Sequence, residues 1–364
     1  MQFHPTKTVL AYLAMSLIQL PLTSACFYPS QPMEAVPSSV RQESNGVTKI
    51  SSMPATDAWY GVQFVTENDA FLSMPKGLWR SIDGGRNWRL IHLVKDYDET
   101  IQNVQFLDTK FGWMKSHNGW FKSEDGGQTW QLFATPLSST GRLSVVKFIN
   151  DKTGWIGGGV LRARSKEELK LGAPRYLLDD MTGKVLRPII YRTDDRGKTW
   201  RVQKVPNNLG NIQYLSFLDS DHGIAFSGPS AFYTRNGGTT WIEVNDPETC
   251  IGEIYEGKPS WAYSLDASYQ WLAFDDGRIL RTTNGGQNWI EQQPCDQIRP
   301  VVIHFSSQEN GQGLDSEGFL YKTTDGGTRW IKVGTEKYAF LNSLDDQHVW
   351  LVSAEGLFRT RLDQ

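Results

Sequence analysis

Six acid or amide residues recur in one setting along this chain: Asp83, Asp125, Asp195, Asn236, Asn284 and Asp325. Each stands two residues after a Ser or Thr, two before a Gly and five before a Trp. Repeated carboxylates suggest general acid–base chemistry, and glycoside hydrolysis in particular needs two of them across a cleft. Outside the repeat, Asp108, Asp151, Asp219 and Asp221 are the candidates, but each follows an apolar run and reads as a turn residue. His92, His117, His222, His304 and His348 are scattered, with no HExxH or paired spacing, so no metal site is expected. The DGG and NGG phrases lack the alternating acids and terminal glutamate of a calcium loop. No G-x-S-x-G, phosphate-binding loop or dinucleotide fingerprint occurs, and no cofactor is implied.

The recurring acids therefore need a positional explanation. The phrases RSIDGGRNW (ending at Trp88), KSEDGGQTW (Trp130), RTDDRGKTW (Trp200), YTRNGGTTW (Trp241), RTTNGGQNW (Trp289) and KTTDGGTRW (Trp330) fit one pattern, [ST]-x-[DN]-x-G-x-x-W. Asp-Gly and Asn-Gly favour tight turns because both residues tolerate positive φ. The Asp or Asn side chain can accept N–H bonds within its own turn, and the second Gly supplies another permissive position. The tryptophan is expected to bury a large face between neighbouring units, with its indole N–H seeking a carbonyl. On this reading the acids are structural.

The box tryptophans are 42, 70, 41, 48 and 41 residues apart, and about 40 residues is one four-stranded propeller blade. Within each unit an apolar run with Phe comes first (YGVQFV, NVQFLD, VVKFIN, YLSFLD, VVIHFS). A second short strand such as GWMKS or GWIGG follows, then a third that leads into the box. The fold expected is all-β, a seven-bladed β-propeller. YAFLNSL, HVWLVSA and GLFRTRL give blade seven three strands, and GVTKISSM (Gly46 to Met53) is expected to supply its fourth and outermost strand, closing the ring. The 70-residue interval marks a loop insertion at about 160–187 in blade three. There SKEE at Ser165 fits a capping box and Gly172 can stop a short helix.

The net charge of −3 gives no sign of nucleic-acid binding. His4 and Lys7, the apolar VLAYLAMSLIQLPL and the small residues of TSAC read as an export signal over 1–25. Cys26 is then the expected lipidated residue, since LTSAC is similar to a bacterial lipobox. The Pro- and Ser-rich stretch 26–46 is a tether, and 47–364 the propeller. Of the three cysteines, Cys250 and Cys295 remain; they can pair in an oxidising compartment or stay as two thiols. The site expected for the mature protein is the periplasmic or lumenal face of a membrane, and a monomer is expected.

Six boxes on seven blades behind an export signal resemble the photosystem II stability and assembly factor family. The resemblance runs from Trp59 to Arg361 and rests on the Phe strand, the Gly-Trp pair and the box. It implies a non-catalytic scaffold that holds a membrane-protein subunit through a basic patch. The residue before the box Ser or Thr is basic in six of seven blades: Arg80, Lys122, Arg192, Arg281, Lys322 and Arg359, with Tyr233 the exception. Six cations at one radius would attract an acidic segment; equally, a long basic side chain at a strand end can lie over apolar surface and keep its charge in water. Arg162 and Arg164 in the insertion are further candidates. The chain also looks like the wider Asp-box group, including sialidases and xyloglucan-cleaving glycosidases, so a carbohydrate-active hydrolase is the alternative. Against it, the Arg-Ile-Pro phrase usual in sialidases is absent, RPII at Arg187 and RPVV at Arg299 being the nearest. The xyloglucan enzymes use two facing propellers, and this chain has length for one.

Overall fold

The computed structural model describes residues 47–52, 61–75, 77–94, 100–133, 135–136, 141–171, 184–206, 210–244, 257–292, 300–345 and 347–360. They form seven four-stranded antiparallel sheets, the architecture of a seven-bladed β-propeller. Strand β1 (Thr48–Ser51) comes before any complete blade. Blade one is β2 (Gly61–Phe64), β3 (Ala70–Met74), β4 (Gly77–Ser81) and β5 (Arg89–Leu93). Blade two is β6 (Asn103–Phe106), β7 (Gly112–Ser116), β8 (Gly119–Ser123) and β9 (Gln131–Leu132). Blade three is β10 (Gly141–Phe148), β11 (Gly154–Arg162), β12 (Val185–Thr193) and β13 (Arg201–Gln203), with helix α1 (Lys166–Leu171) between β11 and β12. Blade four is β14 (Tyr214–Phe217), β15 (Gly223–Ser227), β16 (Ser230–Thr234) and β17 (Ile242–Glu243). Blade five is β18 (Pro259–Ser264), β19 (Gln270–Phe274), β20 (Ile279–Thr282) and β21 (Ile290–Glu291). Blade six is β22 (Val302–Phe305), β23 (Gly311–Leu314), β24 (Phe319–Thr323) and β25 (Ile331–Lys337). Blade seven ends the series with β26 (Phe340–Ser343), β27 (Val349–Ser353) and β28 (Gly356–Thr360).

The expected closure is present. The last sheet has the order β1-β28-β27-β26, with Thr48 opposite Arg359 and Lys49 opposite Phe358. Ser51 also donates from Oγ to the Gly85 carbonyl in the box of blade one (2.6 Å).

The chain divides into two compact units, one of residues 1–133, 310–323 and 330–364, the other of 134–309 and 324–329. Within each, the same aromatic joint recurs between consecutive blades. In the first unit Trp350 stacks on Phe64 (3.7 Å between centroids) and Phe71 on Phe106 (3.4 Å). In the second, Trp155 stacks on Phe217 (3.5 Å) and Trp271 on Phe305 (3.8 Å). Each joint sets the second strand of one blade against the Phe ending the first strand of the next, so large planar faces leave water together. The glycine of the Gly-Trp pair is dictated by the same phenylalanines. A Cβ on Gly154 would lie 2.5 Å from the Phe148 ring of its own blade.

Inner strand edges would leave backbone groups unpaired, and side chains from the preceding blade satisfy them. Gln63 donates from Nε2 to the Phe106 carbonyl and accepts from the Phe106 N–H, both at 2.7 Å. Asn342 Oδ1 accepts from the Phe64 N–H at 3.0 Å.

At the described ends of the insertion of blade three the ladder of β11 and β12 continues. Pairing runs without a break from Gly154 opposite Thr193 to Arg162 opposite Val185, and α1 follows within the insertion, as the capping pattern predicts.

Candidate functional site

The box is built from its own first residue. Ser81 Oγ accepts from the Gly85 N–H (2.8 Å) and donates to Asp83 Oδ1 (2.8 Å). Asp83 Oδ1 in turn accepts from the Asn87 N–H (2.9 Å). The same set occurs on Asp125 and Asp195, where Thr129 and Thr199 hydroxyls donate to the second carboxylate oxygen. These donors favour the ionised form. The side chain and backbone of Thr199, then the Thr193 hydroxyl, hold the Asp195 carboxyl at about 2. At Asp83 and Asp125, partial burial pushes upward but the same kind of bonds outweighs it, leaving both below the usual range. Carboxylates fixed and ionised in this way are poorly suited to shuttle protons near neutrality. Trp130 and Trp200 donate from Nε1 to the box carbonyls of Gly127 (3.0 Å) and Gly197 (3.1 Å), within their own turns.

The box-leading arginines occupy a recurring clamp. In the second unit the Arg192 guanidinium lies 5.1 Å from the Trp155 ring and donates to the Ser220 carbonyl of the next blade (2.8 Å). Arg281 repeats this over Trp271 (5.3 Å), donating to the Gln308 carbonyl (3.1 Å). The buried indoles beneath complete the joint, Trp155 Nε1 donating to Gly237 O (2.9 Å) and Trp271 Nε1 to Gly326 O (3.0 Å). Each tryptophan is thus held between a guanidinium and the phenylalanine of the next blade. In the first unit Arg80 lies over Phe71 and pairs with Asp69 (2.7 Å), while Arg359 lies over Trp350 and donates to Gln347 O (3.3 Å). Lys122 pairs with Glu124 of its own turn (2.8 Å), and Lys322 sits on β24 opposite Ile331.

Blade four, where Tyr233 breaks the pattern, keeps the clamp by another residue. Arg235, two positions on, lies over Tyr233 and donates to Gly285 O and Asn284 O, both at 2.8 Å. The sequence signal was available: a basic residue inside the one box that lacks a basic leader. Blade three departs differently. Arg196 stands where the other five boxes have Gly, at φ 68°, and pairs with Asp151.

The other candidate cations lie in the insertion of blade three. Arg162, at the end of β11, donates to its neighbour's carbonyl (Ala163 O, 3.0 Å), and Arg164 follows it, half-buried. Lys166, Leu169 and Lys170 of α1 are exposed, as are Lys184 and Arg187. Cys26, Cys250 and Cys295 lie outside the described residues. The arginines of each unit engage different turns, so those in the clamps do not converge as a sialidase triad would. Among the described residues no group of three or more His, Cys, Asp or Glu side chains could hold a metal ion.

No protein-family model matches the chain. A curated protein of Synechococcus sp. (strain CC9902), photosystem II assembly lipoprotein Ycf48, is 27% identical over 125 residues, 32% of this chain and 34% of that protein. The match thus spans about a third of the curated relative. Among solved structures, YCF48 bound to D1 peptide superposes with a TM-score of 0.62 at 18% identity, covering 88% of this chain and 98% of that one. YCF48 from Cyanidioschyzon merolae gives 0.62 at 14%, covering 88% and 100%. An ancestral GH74 enzyme also superposes, at 0.55 and 12% identity, covering 89% of this chain but 45% of its own. Likeness at these identities establishes the propeller fold.

Proposed function

We propose that this chain is an exported, non-catalytic scaffold that holds a segment of a membrane-protein subunit during assembly. In this reading residues 1–25 are removed, Cys26 carries lipid, 26–46 is a tether and 47–364 is the working body. The observation that carries the proposal is the joint one: sequence similarity to an assembly lipoprotein, box acids tied up within their own turns, and Arg192, Arg235 and Arg281 bonded across to the next blade. The partner surface is then the hairpin of blade three, where Lys166, Lys170, Lys184 and Arg187 are exposed and can attract an acidic segment. Arg162 and Arg164 border it; Arg80, Arg192, Arg281 and Arg359 serve the fold first, and Lys122 and Lys322 are further candidates for the partner.

The test is crosslinking in native membranes, capture of the propeller and mass spectrometry of both the captured proteins and the mature N-terminus. Enrichment of one membrane complex or its unassembled subunits is expected, together with a lipidated Cys26. Charge reversal at Lys166, Lys170 and Arg187 should abolish capture while leaving the fold intact. Recovery of the propeller alone, at crosslinker levels that trap known complexes, would turn the assignment toward glycan substrates.

A further inference from the structure

Two histidines close a β-turn in the same way. His222 Nδ1 is 2.9 Å from Asp219 Oδ2, and His348 Nδ1 is 2.7 Å from Asp345 Oδ1, each in the turn between a blade's first and second strands. The backbone N–H of each histidine donates to the same aspartate. His348 has a second carboxylate besides. Its Nε2 is 3.2 Å from Glu67 Oε2, in the corresponding turn of blade one and 281 residues away in sequence. A neutral imidazole carries one N–H and can donate to one of these acids, leaving a lone pair facing the other; an imidazolium donates to both.

The setting makes that difference matter. His348, Glu67 and Asp345 lie where the ends of the chain meet, beside the Trp350–Phe64 stack and the Asn342 bond to the Phe64 N–H. The same seam is crossed by β1, which pairs with β28 and bonds the box of blade one through Ser51. The His348 ring lies 6.1 Å from that of Trp350 at an interplanar angle of 29°. Arg359, on β28, packs over Trp350 too, with its guanidinium directed to the Gln347 carbonyl. In the turn of blade one the other acid, Asp69, is already paired with Arg80. The carboxylates facing the imidazole are therefore Glu67 and Asp345, and both are open to solvent, with side chains 60% and 51% exposed. Protons can reach the cluster without any opening of the fold.

We propose that Glu67, His348 and Asp345 form a proton-operated clasp across the closing seam. Protonation of His348 ties blade seven to blade one, and deprotonation releases one arm and loosens the hold on β1. The clasp is independent of the assembly reading above, since it is a property of the isolated chain.

The experiment compares wild type with His348→Gln and Glu67→Gln by thermal unfolding and by hydrogen exchange of β1 and β26, at about pH 5.5 and about pH 8. The margin of wild type over His348→Gln should be larger at the acid pH than at the alkaline one, by about 2 °C. Exchange protection of β1 and β26, taken as the ratio of wild type to variant at each pH, should follow the same pattern. A difference equal at both pH values, or absent at both, overturns the clasp. Should His348→Gln fail to fold, Glu67→Gln decides alone, because it keeps the Asp345–His348 turn and removes only the arm across the seam. Its acid-specific deficit supports the proposal, and wild-type behaviour at both pH values refutes it.

Discussion

The first glycine of the box is open to a decisive perturbation at Gly237. It sits at φ +67°, and a Cβ there would lie 1.8 Å from Arg192 Nη1 and 2.6 Å from the Ser220 carbonyl oxygen. Gly237→Ala therefore meets two costs. The left-handed conformation costs an alanine about 1 kcal/mol. Displacing the guanidinium forfeits a charge-assisted bond to Ser220 O, worth about 1.5 kcal/mol, and a contact over Trp155 worth about 0.5 kcal/mol. The single substitution should then destabilise by about 3 kcal/mol. Arg192→Ala alone should cost about 2 kcal/mol from the same two contacts, its pair with the exposed Asp194 adding little. If the clamp is what demands the glycine, the double variant pays for those contacts once, and the coupling energy is about −2 kcal/mol. Urea unfolding followed by tryptophan fluorescence reads this from the midpoints, provided the slopes agree across the cycle. Additivity within about 0.5 kcal/mol would refute the argument, and would mean that backbone conformation alone selects the glycine.

Three further outcomes are expected. Trp155→Ala removes a fully buried indole, its stack on Phe217 and its bond to Gly237 O, and should cost about 4 kcal/mol in the same unfolding assay. The box carboxylates should fail on acidification. Asp195 is held at about 2 against an ordinary value near 3.8, so its contribution is complete above the ordinary value and is lost as pH falls towards 2. Acid titration followed by circular dichroism should therefore show Asp195→Asn unfolding over a narrower span than wild type. Deleting residues 47–52 strips blade seven of its outer strand and should abolish the cooperative melt; an unchanged melting temperature would contradict the closure seen at β1.

Much of this was legible in the residues, for reasons that differ from place to place. The box announces itself because Asp, Gly and Trp each answer a separate demand, for internal acceptors, positive φ and a large buried face, and six copies keep the spacing fixed. The closing strand was readable because YAFLNSL, HVWLVSA and GLFRTRL make three strands without a fourth. Arg192 was ambiguous, since a basic side chain at a strand end can turn outward or lie over a ring. The choice depends on Ser220, 28 residues on, and no local pattern encodes that. Arg235 escaped because its clamp comes from a different place in the box. The Glu67–His348 contact joins turns 281 residues apart, beyond any periodicity.

The pairing of Thr48 with Arg359 has a consequence for how the molecule is made. A chain that emerges amino-terminus first presents β1 before any complete blade and its partner strand only after six blades have been made. Until β28 appears, β1 waits unpaired while the blades between are laid down, and the pairing that closes the last sheet spans the longest loop. Closure of the last sheet therefore waits for β28. A product cut short before β28 would have its starting strand exposed and nowhere to put it, which marks such fragments for proteolysis.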